Sequence, residues 1–364
     1  MVNFNLLKNI INPKKILEKH NFFIKASDAA IISEQFKSVD EEQQKNWTNL
    51  MQDQGIVDHP FDYEQVTQTV TKFGPARASI DKYHDFILGP GFYVQTGDKR
   101  ADQLLEDINI QLGMYDLFSR VLKGGLPLGT IVVELSTDEK TKTINGTKIV
   151  SPNTVYIKKD DKGNVIGVIQ KLGRTQEPVD LPLDTTALFT FNKMPGKVYG
   201  EGIMYCVMST INEILEIRKH MLTMIRRKAN SPIVATLGGQ FGDKFVEPAA
   251  GDVTSMGKEL ETLTNKTEYA VDYATSLKVL DFGPVAEKFS YVLNNAWEMF
   301  YVSMQIPEVL MGKGNIAEGL GDVQMDAFQR RVVSLREEFE KVAEESIYRK
   351  ILDANGFNHL KPEI

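Results

Sequence analysis

Residues 305–328, QIPEVLMGKGNIAEGLGDVQMDAF, form a break between two long helical patterns. Pro307 stops the first pattern, and the stretch after it carries a single lysine, Lys313. Its four glycines are Gly312, Gly314, Gly319 and Gly321. Because proline ends helices and glycine frees the backbone, the sequence predicts a short, flexible loop with little charge. A phosphate-binding loop, a hinge and the lining of a pore would each have this character.

Three long amphipathic helices are predicted around this loop. The first begins after Gly200, the second begins at Pro284 and leads into the loop, and the third begins after Gly321 with Asp322 in a capping position. Each is predicted to carry one apolar stripe and one charged face. The stripes are Met204, Met208, Ile211, Leu215, Leu222 and Ile225 on the first helix, Val285, Phe289, Leu293, Ala296, Phe300 and Met304 on the second, and Val323, Phe328, Val332, Leu335, Phe339, Val342 and Ile347 on the third.

The N-terminal part of the chain combines helices with strands. A short helix is predicted first, followed by a longer one over residues 101–125. From residue 129 to residue 192 the apolar period changes to two, which favours a meander of antiparallel strands. Asn145-Gly146 and residues 160–164 are predicted to be hairpin turns of this meander.

These patterns predict an α+β fold in which a long helix leads to a small insert and another long helix leads back. The predicted segments are an N-terminal arm or peripheral segment (1–62), an α+β body of helices and antiparallel strands (63–200), the first long helix (201–230), a small α/β insert (231–282), the second long helix (283–310), the glycine loop (311–321) and the last long helix with a short C-terminus (322–364).

Composition narrows the classes of function. The 364 residues are 42% hydrophobic and 25% charged, which is typical of a folded chain with a sizeable core. No apolar run approaches the ~20 residues of a membrane-spanning helix, so no membrane partner is expected. The net charge of −7 disfavours a sequence-specific DNA-binding protein, although local or weak contact with DNA stays open. The single cysteine, Cys206, excludes an internal disulfide and suits a reducing compartment.

Motifs for catalysis or cofactor binding do not occur at recognisable spacings. Lys313 is followed by neither serine nor threonine, and no glycine precedes it at the distance that a phosphate-binding P-loop requires. The five histidines are scattered and Cys206 has no histidine nearby in sequence, so no metal site and no nucleophile are predicted. We therefore expect no enzymatic activity and no cofactor, although a site assembled from distant residues stays open.

Arg226, Arg227 and Lys228 form a basic cluster at the end of the first long helix. Two interpretations stay open. The cations stabilise the C-terminal end of the helix dipole while facing solvent, or they contact a phosphate backbone or an acidic partner.

Five segments, in a fixed order, resemble the portal proteins of tailed bacteriophages and related tailed viruses. They are ARASIDKYHDFILGPGFYV (76–94), DLFSRVLKGGLPLGTIVVEL (116–135), IVSPNTVYIKKDDKGNVIGVIQ (149–170), FNKMPGKVYGEGIMYCVMSTINEIL (191–215) and QIPEVLMGKGN (305–315), the last followed by a long helix. The resemblance covers residues 73–355. No one segment is diagnostic, and the order and spacing of the five carry the resemblance.

This resemblance implies a ring, usually dodecameric, at one capsid vertex of the virion, through which double-stranded DNA is packaged and later ejected. It implies that residues 63–200 are the wing, 201–230 and 283–310 the two stem helices, and 231–282 the clip. Residues 311–321 would be the tunnel loop and 322–364 a wing or crown helix, with little chain left for a large crown. The implied partners are other copies of the chain, DNA held weakly without sequence specificity, the terminase large subunit, a head–tail adaptor, and the major capsid and scaffold proteins. The subunit would be made in the host cytoplasm.

The charge of the chain fits such a channel. Each phosphate that a protein neutralises adds affinity, so a conduit for DNA should offer few cations. Twelve subunits at −7 each would carry −84, and Gly312, Lys313, Gly314 and Asn315 are predicted to contact passing DNA lightly. Two alternatives from other classes are a virion adaptor or scaffold protein without DNA passage and a hydrolase with a site built from distant residues.

Overall fold

The chain was analysed as a computed structural model. The residues that it describes are 47, 51, 54–138, 143–172, 177–229, 233–241, 243–249, 251–261, 275–279, 285–312 and 318–364. They divide into two compact units, which are described separately. The first unit contains the described residues up to 205 and those after 315, and the second contains the described residues from 206 to 312.

The first unit begins with one short strand and four helices. They are β1 (Ile56–Val57), α1 (Tyr63–Lys72), α2 (Gly74–Leu88), α3 (Lys99–Leu112) and α4 (Met114–Leu128). The Asp62 carboxylate caps α1 by accepting a hydrogen bond from the Gln65 N–H at 3.0 Å. Asp98 caps α3 in the same way through the N–H of Arg100 at 2.8 Å.

The single helix predicted over residues 101–125 is two helices. Gly113, with a φ of 61°, ends α3 and begins α4. A left-handed residue of this kind closes a helix and redirects the chain, and glycine adopts it without steric cost. The apolar periodicity continues across Gly113, so the pattern alone did not reveal the break.

Six antiparallel strands follow α4 and, together with β1, form two sheets. They are β2 (Thr130–Thr137), β3 (Ile144–Ile149), β4 (Val155–Lys159), β5 (Val165–Gln170), β6 (Val179–Leu181) and β7 (Thr186–Thr190). The orders are β3-β2-β7 and β1-β4-β5-β6. The α+β class and the antiparallel pairing are therefore confirmed, but the strands do not form one simple meander, because β7 returns to pair with β2.

Two predictions in this region are wrong in detail. Asn145-Gly146 lies inside β3, where Gly146 pairs with Ser136, and is not a hairpin turn. The register of the β2–β3 pair shifts between Ser136 and Thr137, so Asn145 forms a β-bulge within the strand. Ile56 and Val57, assigned to a peripheral arm, pair with Ile157 and Lys158 of β4 and belong to the body. The turn at residues 160–164 is confirmed by the Asp160 N–H, which donates to the Asn164 carbonyl at 2.9 Å.

The second unit contains most of one long helix, four strands, a short helix and another long helix. They are α5 (Ile203–Ala229), β8 (Ile233–Leu237), β9 (Gly239–Phe241), β10 (Lys244–Val246), α6 (Asp252–Glu261), β11 (Thr275–Val279) and α7 (Val285–Met304). β8 pairs with β11 and β9 pairs with β10, both antiparallel. The described part of 231–282 thus contains two antiparallel strand pairs and one short helix.

The chain then returns to the first unit through α8 (Glu318–Ala343), a π-helical turn (Glu344–Tyr348) and α9 (Arg349–Ala354). Helix α8 begins three residues before Gly321, so Asp322 is not its cap. A glycine costs a helix about 1 kcal/mol, which does not stop a helix that is anchored further along its length.

Aromatic side chains of α8 build much of the core of the first unit. The Phe339 ring lies 5.0 Å from Phe118 of α4 and 5.4 Å from Phe189 of β7. Phe328 lies 5.1 Å from Tyr83 of α2. Burial raises the pKa of Tyr83 to about 12. The last long helix is therefore a central element of the body rather than an appendage to it.

Candidate functional site

The predicted tunnel loop is described only at its first residues. Gly312 is exposed and ends a short helical turn, Glu308–Met311, where its N–H donates to the Val309 carbonyl at 3.2 Å. Lys313, Gly314 and Asn315 lie outside the described residues. Their contact with DNA is therefore still a prediction.

The basic cluster lies in the last turn of α5. Arg226 is exposed, and the helical backbone continues through Arg227 and Lys228, whose side chains lie outside the described part of the structure. An exposed cation near a helix C-terminus agrees with both interpretations of this cluster.

Helix α5 carries its predicted stripe, but only the first part of that stripe is buried. Met204 and Ile211 are fully buried, as are Val207 and Ile214 on the same side. Leu215, Leu222 and Ile225 continue this stripe and are 46%, 50% and 52% exposed. The opposite side is polar, as predicted, with Glu216 and His220 3.6 Å apart. The uncovered half of the stripe is an apolar surface that water contacts in the isolated chain.

Helix α7 departs further from the prediction of one apolar and one charged face. Ala296, Phe300 and Met304 form the buried stripe that the sequence predicts. The opposite side carries two exposed apolar residues, because Tyr291 is 78% exposed and Val302 is 70% exposed. The exposed Val292 and Met299 lie between this side and the buried stripe, and the exposed Asn295 lies among these four residues. A helix that is apolar on two sides is usually buried on both. We call the surface of Tyr291, Val292, Met299 and Val302 the second apolar face of α7.

One side-chain cluster has the connectivity of a hydrolase triad. The Ser119 hydroxyl lies 2.9 Å from His84 Nε2, and His84 Nδ1 lies 3.2 Å from an Asp85 oxygen. Ser119 and His84 lie inside α4 and α2, where the backbone N–H groups are engaged by helical hydrogen bonds and are not free to bind an oxyanion. Neither of the two cavities described next is lined by these residues. The Ser119–His84 bond therefore joins α4 to α2.

A cavity of about 330 Å³ lies in the first unit beside the aromatic ring of Tyr205. Phe61 stacks on Tyr205 with ring centres 5.1 Å apart, and Asp58, Glu201 and Lys159 contribute charges of both signs. Its lining contains no serine, cysteine or histidine.

A second cavity, of about 650 Å³, is flanked by exposed apolar side chains. Tyr93 is 71% exposed and Ile110 is 77% exposed, and Tyr115 lies on the same rim. Asp102, one of its acidic residues, accepts hydrogen bonds from the Thr96 N–H and hydroxyl, both at 2.7 Å. This carboxylate is thus used to hold the loop before α3.

His59 is half-buried in an aromatic stack next to the first cavity. Its ring lies 4.5 Å from Tyr63 and 4.6 Å from Tyr156, nearly parallel to both. Nε2 lies 2.6 Å from the Val155 carbonyl, so this nitrogen carries the proton and donates. Burial lowers the pKa of His59, although the Val155 carbonyl and Asp58 oppose the shift. The lowered pKa favours the neutral ring within this aromatic stack.

The described residues contain no cluster of three or more histidine, cysteine, aspartate or glutamate side chains placed to hold a metal ion. They also contain no helix long and apolar enough to cross a membrane.

Solved structures of other proteins share this fold. A chain in the neck of an empty gene transfer agent particle, computed with C6 symmetry, superposes with a TM-score of 0.66 at 14% identity, covering 85% of each chain. The chain has the fold of a gene transfer agent neck protein. The neck of the native particle, computed with C12 symmetry, matches with a TM-score of 0.61 at 14% identity, again covering 85% of each chain.

An HK97-family phage portal protein from Corynebacterium diphtheriae also matches, with 13% identity over 63% of this chain and 72% of that one. Its TM-score of 0.36 is too low to carry an inference. No protein-family profile matches the chain. No curated protein matches it by sequence either. The neighbours support, at the level of the fold, the portal resemblance drawn from the five ordered segments.

The sequence did not indicate two further features. The second apolar face of α7 is one, although Tyr291, Val292, Met299 and Val302 recur at steps that a helical projection would have placed on one side. The other is a junction at Asn192 that joins three elements through side chains far apart in sequence. No local sequence pattern indicates such a junction.

Proposed function

We propose that this chain is the subunit of a portal-type ring, which forms the channel at one capsid vertex for packaging and ejecting double-stranded DNA. The observation that carries the proposal is the fold shared over 85% of both chains with a protein of a particle neck that has C12 symmetry. The five ordered segments add the resemblance to portal proteins. The uncovered apolar surfaces of α5 and α7 add a physical reason for assembly.

In this proposal the two long helices are the stem, and their uncovered apolar surfaces pack against neighbouring subunits. A closed ring requires two unlike surfaces of each subunit to meet. The uncovered half of the α5 stripe and the second apolar face of α7 are two unlike apolar surfaces. Burying them between copies would remove both from water.

The finer assignments belong to the same proposal. Residues 231–282 would be the clip that docks the terminase motor and later the connector proteins, and Lys313 would contact DNA from the tunnel loop. The charge of −7 per subunit supports weak contact, because a channel with few cations does not retard the duplex. Localisation at the portal vertex of a virion follows from the same assignment.

The test is imaging and native mass spectrometry of the purified protein. Twelve copies of the 41.0 kDa chain give a ring of about 490 kDa with a central channel. A monomer or dimer under all conditions would contradict the proposal. A ring without an open channel would favour the alternative of a virion adaptor or scaffold protein.

A further inference from the structure

The second cavity, of about 650 Å³, forms a groove on the surface of the first unit. One wall of the groove is residues 91–95, and the other is α3 with the junction at Gly113. Three large apolar side chains that line it are exposed: Tyr93 by 71%, Ile110 by 77% and Tyr115 by 47%. Exposed apolar side chains grouped around a groove are typical of a surface that binds an apolar partner.

Hydrogen bonds hold both walls of the groove in place. The Gln95 N–H donates to the Glu363 carbonyl, and the Glu363 N–H donates to the Gln95 carbonyl, both at 2.9 Å. At the opposite wall, the Asn109 side-chain oxygen accepts a hydrogen bond from the Tyr348 hydroxyl at 2.7 Å. A preformed groove binds a partner without the entropic cost of ordering its own walls.

The groove is also acidic. The described residues that line it include Asp102 and Glu106 and neither lysine nor arginine. Asp102 accepts hydrogen bonds from Thr96, whereas Glu106 is exposed. A complementary partner therefore combines large apolar side chains with positive charge.

Residues 4–25, FNLLKNIINPKKILEKHNFFIK, have this composition. They lie outside the described part of the structure. Their five lysines and one glutamate give a charge of +4, so the rest of a chain with a net charge of −7 carries −11. Ten of these 22 residues are large and apolar, namely Phe4, Leu6, Leu7, Ile10, Ile11, Ile16, Leu17, Phe22, Phe23 and Ile24. Apolar side chains at this density gain free energy by leaving water, and an acidic surface attracts the lysines.

The tether between this segment and the first unit is long enough to reach the groove. The described structure begins at Trp47, whose ring centre lies 5.1 Å from that of Tyr156 and 3.7 Å from the Lys171 ammonium. The 22 residues that follow Lys25 up to Trp47 span at most about 75 Å, whereas a compact body of about 200 residues has a radius of gyration of about 16 Å. A tether of this kind also supplies a high effective concentration, which favours the chain's own segment over a separate partner of similar chemistry.

We propose that residues 4–25 dock in the groove of their own subunit. Their apolar side chains contact Tyr93, Ile110 and Tyr115, and their lysines lie near Glu106. Nucleic acid also attracts a basic segment, but a phosphate backbone would leave the ten apolar side chains in water. The contacts lie within one subunit, so this proposal does not rest on the ring and the two experiments have separate outcomes.

The test is limited proteolysis of the full chain by trypsin, which cleaves after lysine and arginine and so measures the exposure of the five lysines in the segment. Ile110→Gln removes the most exposed apolar side chain of the groove, and we expect cleavage within residues 8–25 to become about tenfold faster, because the protease acts on the undocked fraction. Ile166→Gln is the matched control: Ile166 is 54% exposed on β5 and does not line the groove, so cleavage should keep its natural rate. Glu106→Gln should accelerate cleavage about threefold, and it also serves if Ile110→Gln does not fold. Equal cleavage of the natural chain and both groove variants would overturn the proposal.

Carbodiimide cross-linking identifies the occupant, because it joins a lysine to a carboxylate only where the two are in contact. Chains of two isotope labels are mixed before assembly, and we expect peptides that link Glu106 to a lysine of residues 8–25 within a single label. Links that combine both labels would overturn the proposal in favour of a neighbouring copy. Protection from trypsin that requires added DNA would assign the segment to nucleic acid instead.

Discussion

The second apolar face of α7 gives the sharpest test of assembly, and Val302→Glu is the change that probes it. Val302 is 70% exposed in the single chain, so a glutamate there faces water and the subunit should fold normally. In a ring that buries this face, the same glutamate would lose its hydration without gaining a partner. Assembly should fail while the subunit stays folded.

The size of the effect follows from burial. Complete burial of a valine side chain contributes about 1.5–3 kcal/mol, so the exposed 70% contributes about 1–2 kcal/mol per interface. An unpaired carboxylate left in an apolar interface adds a penalty of several kcal/mol. A loss of about 4 kcal/mol per interface weakens each contact about a thousandfold, since 1.4 kcal/mol corresponds to a factor of ten.

The assay compares native mass and thermal unfolding for the natural chain and two variants. Asn294→Glu is the matched control, because Asn294 is an exposed polar residue of the same helix outside the second apolar face and receives the same charge. We expect rings from the natural chain and from Asn294→Glu, and folded monomers from Val302→Glu. Rings of Val302→Glu at the natural protein concentration would refute the burial of this face.

Four further predictions concern other parts of the chain. Lys313→Ala should leave the ring mass unchanged but alter DNA packaging or retention, whereas loss of assembly would indicate a packing role. Deletion of residues 231–282 should abolish docking of the packaging ATPase while subunits still associate through the wing, and unimpaired docking would contradict the clip assignment. Burial lowers the pKa of His59 below its ordinary 6.5, so the unfolded chain binds the extra proton and the unfolding temperature should fall as the pH drops from about 7 through 6.5. His59→Gln should flatten this dependence, and the same change at the exposed His220 should not. Gly202→Ala should lower the unfolding free energy by about 2–3 kcal/mol because of the Pro127 carbonyl, whereas Gly146→Ala, with its nearest neighbour at 3.5 Å, should change it little.

The sequence indicated the class and order of the elements because these depend on local periodicity. The long helices and the antiparallel strands were predicted from apolar spacing and confirmed. Where the outcome depended on partners far away in sequence, local signals were insufficient. Asn145-Gly146 has the composition of a turn, yet pairing with Ser136 keeps it in a strand. The break at Gly113 is hidden because apolar spacing continues across it.

In the candidate site, too, features that depend on local sequence were predicted, and features that depend on distant residues were not. The turn that ends at Gly312 agrees with the break predicted from Pro307 and the glycines, because these residues act locally on the backbone. The junction at Asn192 was not found, because its partners Arg331 and Glu338 follow 139 and 146 residues later. An asparagine before a lysine looks like any loop residue until the elements that surround it are placed.

The apolar stripes of α5 and α7 bear both on the fold of one chain and on the proposed assembly of several chains. Periodicity predicts that a stripe will be buried, but it does not say whether the covering residues belong to the same chain. In α5 the first half of the stripe is covered and the second half is not, although the residue types are the same throughout. In α7 the covered stripe is matched by an uncovered one on the other side. An uncovered apolar surface on both long helices, in a chain of ordinary charge content, supports the proposal that neighbouring copies complete the core.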